Sequence, residues 1–388
     1  MKVCIIGYRD YSTCTRAVRA AEALAEAGIE VHYVGTLVQD KEAPPPRDGI
    51  VLHNLAVRKR LRRNILGYFP LYALLLIDAS IRITVLHLRH RFDAIVVYSI
   101  PDFLIFSTIV PKLLGSRIIL EMLDLMPETA MTKFGLREDH LLVKCLKISE
   151  SVSMWLADIL VVPNHPFPQT ILARGANPAK IHVVMNLPDR KVFHPIEDEG
   201  SPSKFTLFFH GTIAERLDLK TLLRAVDLAR VDILEIELQI IGDGEYAGTL
   251  ERLITDLNLK KHVSFSRGMI AADRLPALIA AAHVGIATYV RSAATERIMP
   301  TKVMEFIAME KPVITARLYT TQFYFDESMV MFYEPGDPED LASCIRQLHK
   351  SPEKRRCLVN NAKRFEEKYS WGEQKGIYVQ LVQGKETT

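Results

Sequence analysis

TERIMPTKVMEFIAMEKPVIT, residues 295–315, reads as polar loop, helix, turn and strand in that order. Pro300 suits the opening turn of the helix, where its missing N–H would have no partner anyway. Val303, Phe306 and Ile307 recur at helical spacing and predict a core-facing stripe, and Lys311-Pro312 ends the helix. A helix opening leaves backbone N–H groups unpaired and carries a partial positive charge, so Thr301 and Lys302 stand where an anion is favoured. Glu305 lies within the next turn, in reach of a sugar hydroxyl beside that anion.

Working outward, the same strand, loop and helix pattern repeats on both sides. Phe205–Phe209 predicts a strand delivering the loop His210-Gly211-Thr212, and Glu237–Ile241 a strand ending in Gly242-Asp243-Gly244. Val263–Phe265 delivers Ser266-Arg267-Gly268-Met269, and Val284–Ala287 a further loop. Gly211 lets backbone approach an anion closely, and Arg216 offers a permanently charged, forked donor near the next helix. Upstream, Lys2–Ile6, Val31–Val34, Ala94–Tyr98, Arg117–Leu120, Ala157–Val162 and Ile181–Met185 predict a first wound sheet. Ligands of such sheets sit beyond the carboxyl ends of the strands, which points to Tyr8-Arg9-Asp10, to Ser99 and Asp102, and to Glu121, Asp124 and Glu128. Carboxylates there suit hydroxyl binding or a base role. The segment His194–Lys204 shows neither helical nor strand period and reads as a linker. Two halves, each bringing loops to one cleft, predict a small-molecule site.

Composition narrows the class. A chain of 388 residues, 48% hydrophobic, suggests two domains, and a net charge of +3 does not call for a nucleic-acid partner. Five scattered cysteines without a Cys-x-x-Cys pair fit a reducing cytosol, and Met1–Gly7 reads as a buried strand rather than a leader. The first loop has a single glycine, against a dinucleotide fingerprint. Arg58, Lys59, Arg60, Arg62 and Arg63 precede an apolar, aromatic-rich run from Ile65 to Ile77, and the segment continues to Arg91. The run is too short to span a bilayer, and Pro70 suggests a kink or a fresh helix start. Basic flanks on such a stretch suit a helix lying in an anionic membrane surface, although a pair of core helices with a solvated basic end reads equally from the letters.

The run Gly211-Thr212-Ile213-Ala214-Glu215-Arg216, the Gly242-Asp243-Gly244 turn, and Pro300-Thr301-Lys302 with Glu305 and Lys311-Pro312-Val313-Ile314 together resemble the nucleotide-sugar half of the retaining family 4 glycosyltransferases of surface-polysaccharide assembly. Ala157-Asp158, Lys180–Val184, Asn186–Phe193 and Tyr369-Ser370-Trp371 resemble the rest of that family. The resemblance implies the GT-B fold, two doubly wound Rossmann-like α/β domains facing a central cleft: an acceptor-side domain over 1–190, rejoined by 366–388, and a nucleotide-sugar domain over 191–365. It implies Arg216 and Lys302 on the diphosphate, Glu305 on the ribose, Glu296 on the donor sugar and the loop Arg267-Gly268-Met269 on the base. Asp124 joins Arg216, Lys302 and Glu296 as catalytic candidates, and no metal or other cofactor is expected. The expected partners are a nucleotide diphosphate sugar, a lipid-linked or glycan acceptor and the inner face of the plasma membrane. Two departures mark this chain: eight residues rather than seven separate Glu296 from Glu305, and Leu123 precedes Asp124 where many relatives carry histidine. The second leaves a non-catalytic nucleotide-sugar or glycolipid binding protein as the alternative. His210 is retained among the histidines because it adjoins Gly211.

Overall fold

The computed structural model describes residues 1–11, 14–36, 47–57, 67–196, 204–268, 270 and 273–385. The chain divides into two compact units, Met1–Asn186 with Gly372–Thr388, and Leu187–Trp371.

The first unit holds seven strands: β1 (Lys2–Ile6), β2 (Glu30–Gly35), β3 (Ile50–Asn54), β4 (Ala94–Tyr98), β5 (Arg117–Glu121), β6 (Ile159–Val162) and β7 (Ile181–Val183). Their order is β3-β2-β1-β4-β5-β6-β7, with parallel pairing throughout. β4 is AIVVY, buried at every position, because helices cover both faces of a parallel sheet and leave no solvent side for polar alternation. On one face Leu75, Ala79 and Ile83 of helix Tyr68–His90 pack with Leu104, Ile105 and Met154. On the other, Ala17, Ala20 and Leu24 of helix Thr15–Glu26 pack with Tyr378, Leu381 and Val382 of helix Trp371–Gln383. The last helix of the chain thus completes the core of the first unit.

Tyr68–His90 corrects the sequence reading of that segment. It is one helix of 23 residues with Pro70 inside its first turn, so the proline marks a helix start, and there is no pair of core helices. By length and composition it could cross a membrane, contrary to the shorter run read from the letters. Leu71, Leu75, Ala79, Ile83 and His87, each four residues on, form one buried stripe fastened to the sheet, and most of the remaining helix surface is apolar and open. The basic cluster Arg58–Arg63 lies outside the described residues.

The second unit holds β8 (Phe205–His210), β9 (Ile236–Gly242), β10 (Val263–Arg267), β11 (Val284–Ala287), β12 (Val313–Ala316) and β13 (Met331–Tyr333). Their order is β10-β9-β8-β11-β12-β13, again parallel. Strand order reverses between β8 and β11 here, and between β1 and β4 in the first unit, opening a crevice at each carboxyl edge. Gly285 of β11 sets the distance of the neighbouring helix Thr301–Ala308: a Cβ there would lie 2.3 Å from the Phe306 ring.

Arg174 ties three elements of the first unit, pairing with Glu128 and, at 2.6 Å, with Glu150, which is fully buried. Removing the cation strands two carboxylates, so Arg174→Met should cost about 3 to 5 kcal/mol in urea unfolding. A loss under about 1 kcal/mol would show that the triad is solvated rather than structural.

Candidate functional site

At the crevice of the second sheet, helix Thr301–Ala308 begins at Pro300, which supplies no side-chain cap. Its first turn therefore presents backbone N–H groups and the positive end of the helix. Phe306, four residues after Lys302 and on the same helix face, is buried against Gly285 and draws that face onto the sheet. Lys302 consequently ends up only 6% exposed, its Nζ 4.1 Å from the centre of the Phe209 ring and 5.6 Å from that of Tyr289. Burial pushes its pKa down to about 7, with Arg216 adding to the fall and Glu305 opposing it. Glu305 is buried as well, with Oε2 3.3 Å from His210 Nε2. Burial, helped by the charge of Lys302, holds His210 near pKa 3, so this contact joins a neutral imidazole to a carboxylate and is no ion pair.

The glycines earn their places by close approach of backbones. A Cβ on Gly242, whose φ is +155°, would fall 1.8 Å from the carbonyl oxygen of Gly211, and one on Gly244 would fall 2.3 Å from that of Ile213. The Ile213 N–H donates to Asp243 O at 2.9 Å, and the Tyr246 N–H to Ile213 O at 3.1 Å. The loops after β8 and β9 are thereby locked together, with Thr212 exposed beside Gly211. Arg216 sits exposed in a short 3-10 turn, Glu215–Leu217, and its carbonyl accepts from the Val290 N–H at 3.0 Å. Thr288 Oγ1 donates to Leu217 O at 2.6 Å. Arg216 is thus carried on a turn clamped to the loop after β11, with its guanidinium on the surface.

The remaining donor-side candidates are more dispersed. Glu296 accepts from Arg291 Nε at 3.1 Å and from the Tyr319 N–H at 2.5 Å, so its carboxylate braces the loop before the helix. Arg297 beside it lies over the Tyr319 ring, 4.8 Å from the centroid. Arg267 pairs with Glu251 at 2.9 Å on the rim, next to Gly268 at φ +119°; Met269 lies outside the described residues.

In the first unit, loops after β1, β4 and β5 meet at the carboxyl edge. Arg9 approaches Asp124 at 3.9 Å, both part-exposed. Ser99 Oγ accepts from the Leu123 N–H at 2.9 Å and donates to Asp124 O at 3.4 Å, fixing the loop that presents Asp124. Tyr8 and Asp10 are buried, Tyr8 against Tyr72. Glu128, read as facing an acceptor, is instead buried on Arg174, and Glu121 is buried on Arg16 beside Tyr98 and Tyr378. Asp102 is 1% exposed; burial, reinforced by Glu150 and countered by Arg174, pushes its carboxyl well above the ordinary range. Asp124 and Arg9 are therefore the polar groups of this edge that a solute can reach among the predicted residues.

Sequence reasoning undervalued His210. Its signal was its position: the last residue of a strand at the switch point, one before the loop glycine. It gave no hint of Phe209 and Tyr289 as the walls around Lys302.

The family pattern described as "Glycosyl transferases group 1" matches residues 204–351. The chain is 25% identical over 229 residues to an MMP α-(1→4)-mannosyltransferase of Mycolicibacterium hassiacum, covering 58% of this chain and 54% of the relative. It is 43% identical over 63 residues, 16% of either chain, to a GDP-mannose-dependent α-(1-6)-phosphatidylinositol monomannoside mannosyltransferase of Mycolicibacterium smegmatis. The chain thus spans about half the length of the first of these curated relatives and a small part of the second. Among solved structures, sucrose-phosphate synthase of Thermosynechococcus elongatus superposes with TM-score 0.76 at 17% identity, covering 99% of this chain and 98% of that one. Anabaena HepE in complex with UDP and glucose superposes with TM-score 0.73 at 14% identity, covering 99% of each. The architecture is GT-B: two parallel-sheet α/β units of seven and six strands.

The depressed Lys302 has a pH consequence in the free protein. Unfolded, the amine titrates at 10.5; folded, at about 7. Between these values the unfolded chain binds more protons, so this residue makes stability rise with pH across that window. Denaturation midpoints from pH 7 to 10 should show a shallower rise in Lys302→Met than in the parent; parallel curves would place the ammonium in solvent.

Proposed function

We propose that the chain is a retaining glycosyltransferase that moves a sugar from a nucleotide diphosphate sugar to a lipid-linked saccharide in cell-surface glycan assembly. The buried Lys302–Glu305 pair at the switch point, beside glycine loops that admit an anion, carries this reading. The group 1 match lies over the same unit, residues 204–351. The relatives named above are mannosyltransferases, one of them GDP-mannose-dependent and acting on a phosphatidylinositol mannoside, and HepE holds UDP. These likenesses support a nucleotide-sugar donor and a lipid-borne acceptor.

In this mechanism the glycosyl C–O bond breaks as negative charge builds on the leaving diphosphate. Lys302, Arg216 and the N–H groups of the helix opening take up that charge, which is larger in the transition state than in the bound donor. A phosphate dianion beside Lys302 raises its pKa, so the amine is charged when it is needed. Glu305, aimed by its helix and flanked by His210, accepts from ribose hydroxyls. The acceptor hydroxyl attacks from the face the diphosphate leaves, and its proton passes to a phosphate oxygen. Glu296 acts on the donor sugar through the loop it braces with Arg291 and Tyr319. Asp124, steadied by Arg9 and Ser99, orients the acceptor. The cations already present neutralise the diphosphate, so no metal is required for this step.

The reading also places the first unit on a membrane. Helices Tyr68–His90 and Leu141–Leu156, with Ile109–Leu113 beside the first, cover one side of the sheet. Their outer faces leave Leu74, Ile77, Ile81, Leu113, Ile148 and Trp155 exposed, among Arg89, Arg91 and Lys144. An apolar layer edged with cations suits the inner face of the plasma membrane, where the lipid-linked acceptor would be held.

Leu123, in place of the histidine of many relatives, favours a second reading as a nucleotide-sugar binding protein without transfer. Radiolabelled transfer from a panel of nucleotide sugars to a bacterial lipid extract separates the two. Donor binding with neither transfer nor hydrolysis across the panel would establish the second. Under the first, Lys302→Ala and Arg216→Ala each lower kcat about 100- to 1,000-fold. Trp155→Glu combined with Leu113→Glu should weaken sedimentation with anionic vesicles at least about tenfold, the carboxylates being repelled by an anionic apolar interface; unchanged sedimentation would remove the membrane role.

A further inference from the structure

At the amino edge of the first sheet, opposite the loops of Arg9 and Asp124, three histidine rings and one carboxylate converge, none of them used in the proposed transfer. His32 faces inward from β2 and is 2% exposed. Its Nε2 lies 2.9 Å from Glu30 Oε1, and its Nδ1 lies 2.9 Å from Nε2 of His53 on β3. The His32 and His53 rings are nearly coplanar in direction, 7° apart, with centroids at 5.1 Å. His90, at the end of helix Tyr68–His90, brings its ring centroid to 4.3 Å from that of His32. One donor atom each from Glu30, His32 and His90 lies within 4.8 Å of the other two. Phe92 walls the cluster at 5.1 Å from His32.

We infer that Glu30, His32 and His90 form a binding site for a divalent transition metal of the zinc class. Two imidazoles and a carboxylate are a borderline-soft donor set that suits Zn²⁺, with a fourth, open position for water. Donors in a tetrahedral shell lie about 3.4 Å apart at zinc bond lengths, so His90 and Glu30 have a small adjustment to make from a spacing within 4.8 Å. Both are part-exposed side chains, free to move that far, whereas His32 is anchored. The anchor is of the right kind. With metal on Nε2, His32 carries its proton on Nδ1 and donates to His53, the outer contact that fixes ring orientation in metal sites. Lys2 Nζ sits 3.3 Å from Glu30 Oε2, the oxygen turned away from His32, and can remain there or yield. His87, one turn earlier, is engaged with Ser116 Oγ at 3.2 Å and is not a ligand.

The site would clip the last turn of the long exposed helix to the sheet, linking β2 to Tyr68–His90 through an ion instead of a covalent bond. Its occupancy would therefore govern how firmly that helix is held. This inference stands apart from the transfer reading, and the ion would take no part in that chemistry.

Tag-free full-length protein titrated with Co²⁺ should show one saturable equivalent with visible tetrahedral bands, displaced by Zn²⁺, and a rise in Tm that EDTA reverses. His90→Ala and Glu30→Gln should each weaken uptake at least about tenfold while melting like the parent in EDTA. X-ray absorption on the wild-type zinc complex needs no variant and should show two imidazoles with oxygen. Absence of saturable uptake at millimolar metal, uptake indifferent to both substitutions, or a sulfur in the zinc shell would each overturn the assignment.

Discussion

Phe306 packed on Gly285 is the contact on which the candidate site depends. Because no side chain intervenes, the helix beginning at Pro300 lies close to β11, and the same face, which carries Lys302 four residues before Phe306, reaches Phe208 and Phe209 of β8. Lys302 is thereby taken out of water and laid over Phe209, with Glu305 one turn on beside His210. A buried ammonium is costly, and its lowered pKa shows that the native fold carries that cost. A charge held at such a cost marks Lys302 as a candidate binding group, which is the role proposed for it above.

The two units solve one topological problem twice. In each, strand order reverses beside the first strand, and the loops at that carboxyl edge carry the reachable polar side chains: Arg9 and Asp124 in one, Thr212 and Arg216 in the other. The physics around them differs. In the first unit the carboxylates deeper in the edge are neutralised by arginines, Glu121 by Arg16 and Glu128 by Arg174. In the second the deep groups are the cation and its carboxylate neighbour.

Much of this was legible without coordinates. Buried parallel strands announce themselves as unbroken apolar runs, so β4 and β8 stood out, whereas β3, with its mixed burial at a sheet edge, left no such run. In helix Tyr68–His90 the apolar run read from the letters stops at Ile77, yet the helix runs on through Asp78 and Arg82, which pair at 2.6 Å one turn apart. Asp124 was favoured over Glu128 from the letters, and it is the arrival of Arg174 from a distant part of the chain that buries Glu128.

The sequence by itself determined the two wound halves, the helix opening at Pro300 and the residue types gathered at the strand ends, since periodicity, proline and glycine act through local backbone sterics. The tertiary structure alone decided which charges are buried, which carboxylates are paired and which histidines meet. Desolvation and Coulomb interaction depend on distance through space, and residues as far apart as Glu30 and His90 or Glu128 and Arg174 become neighbours only when the sheets close.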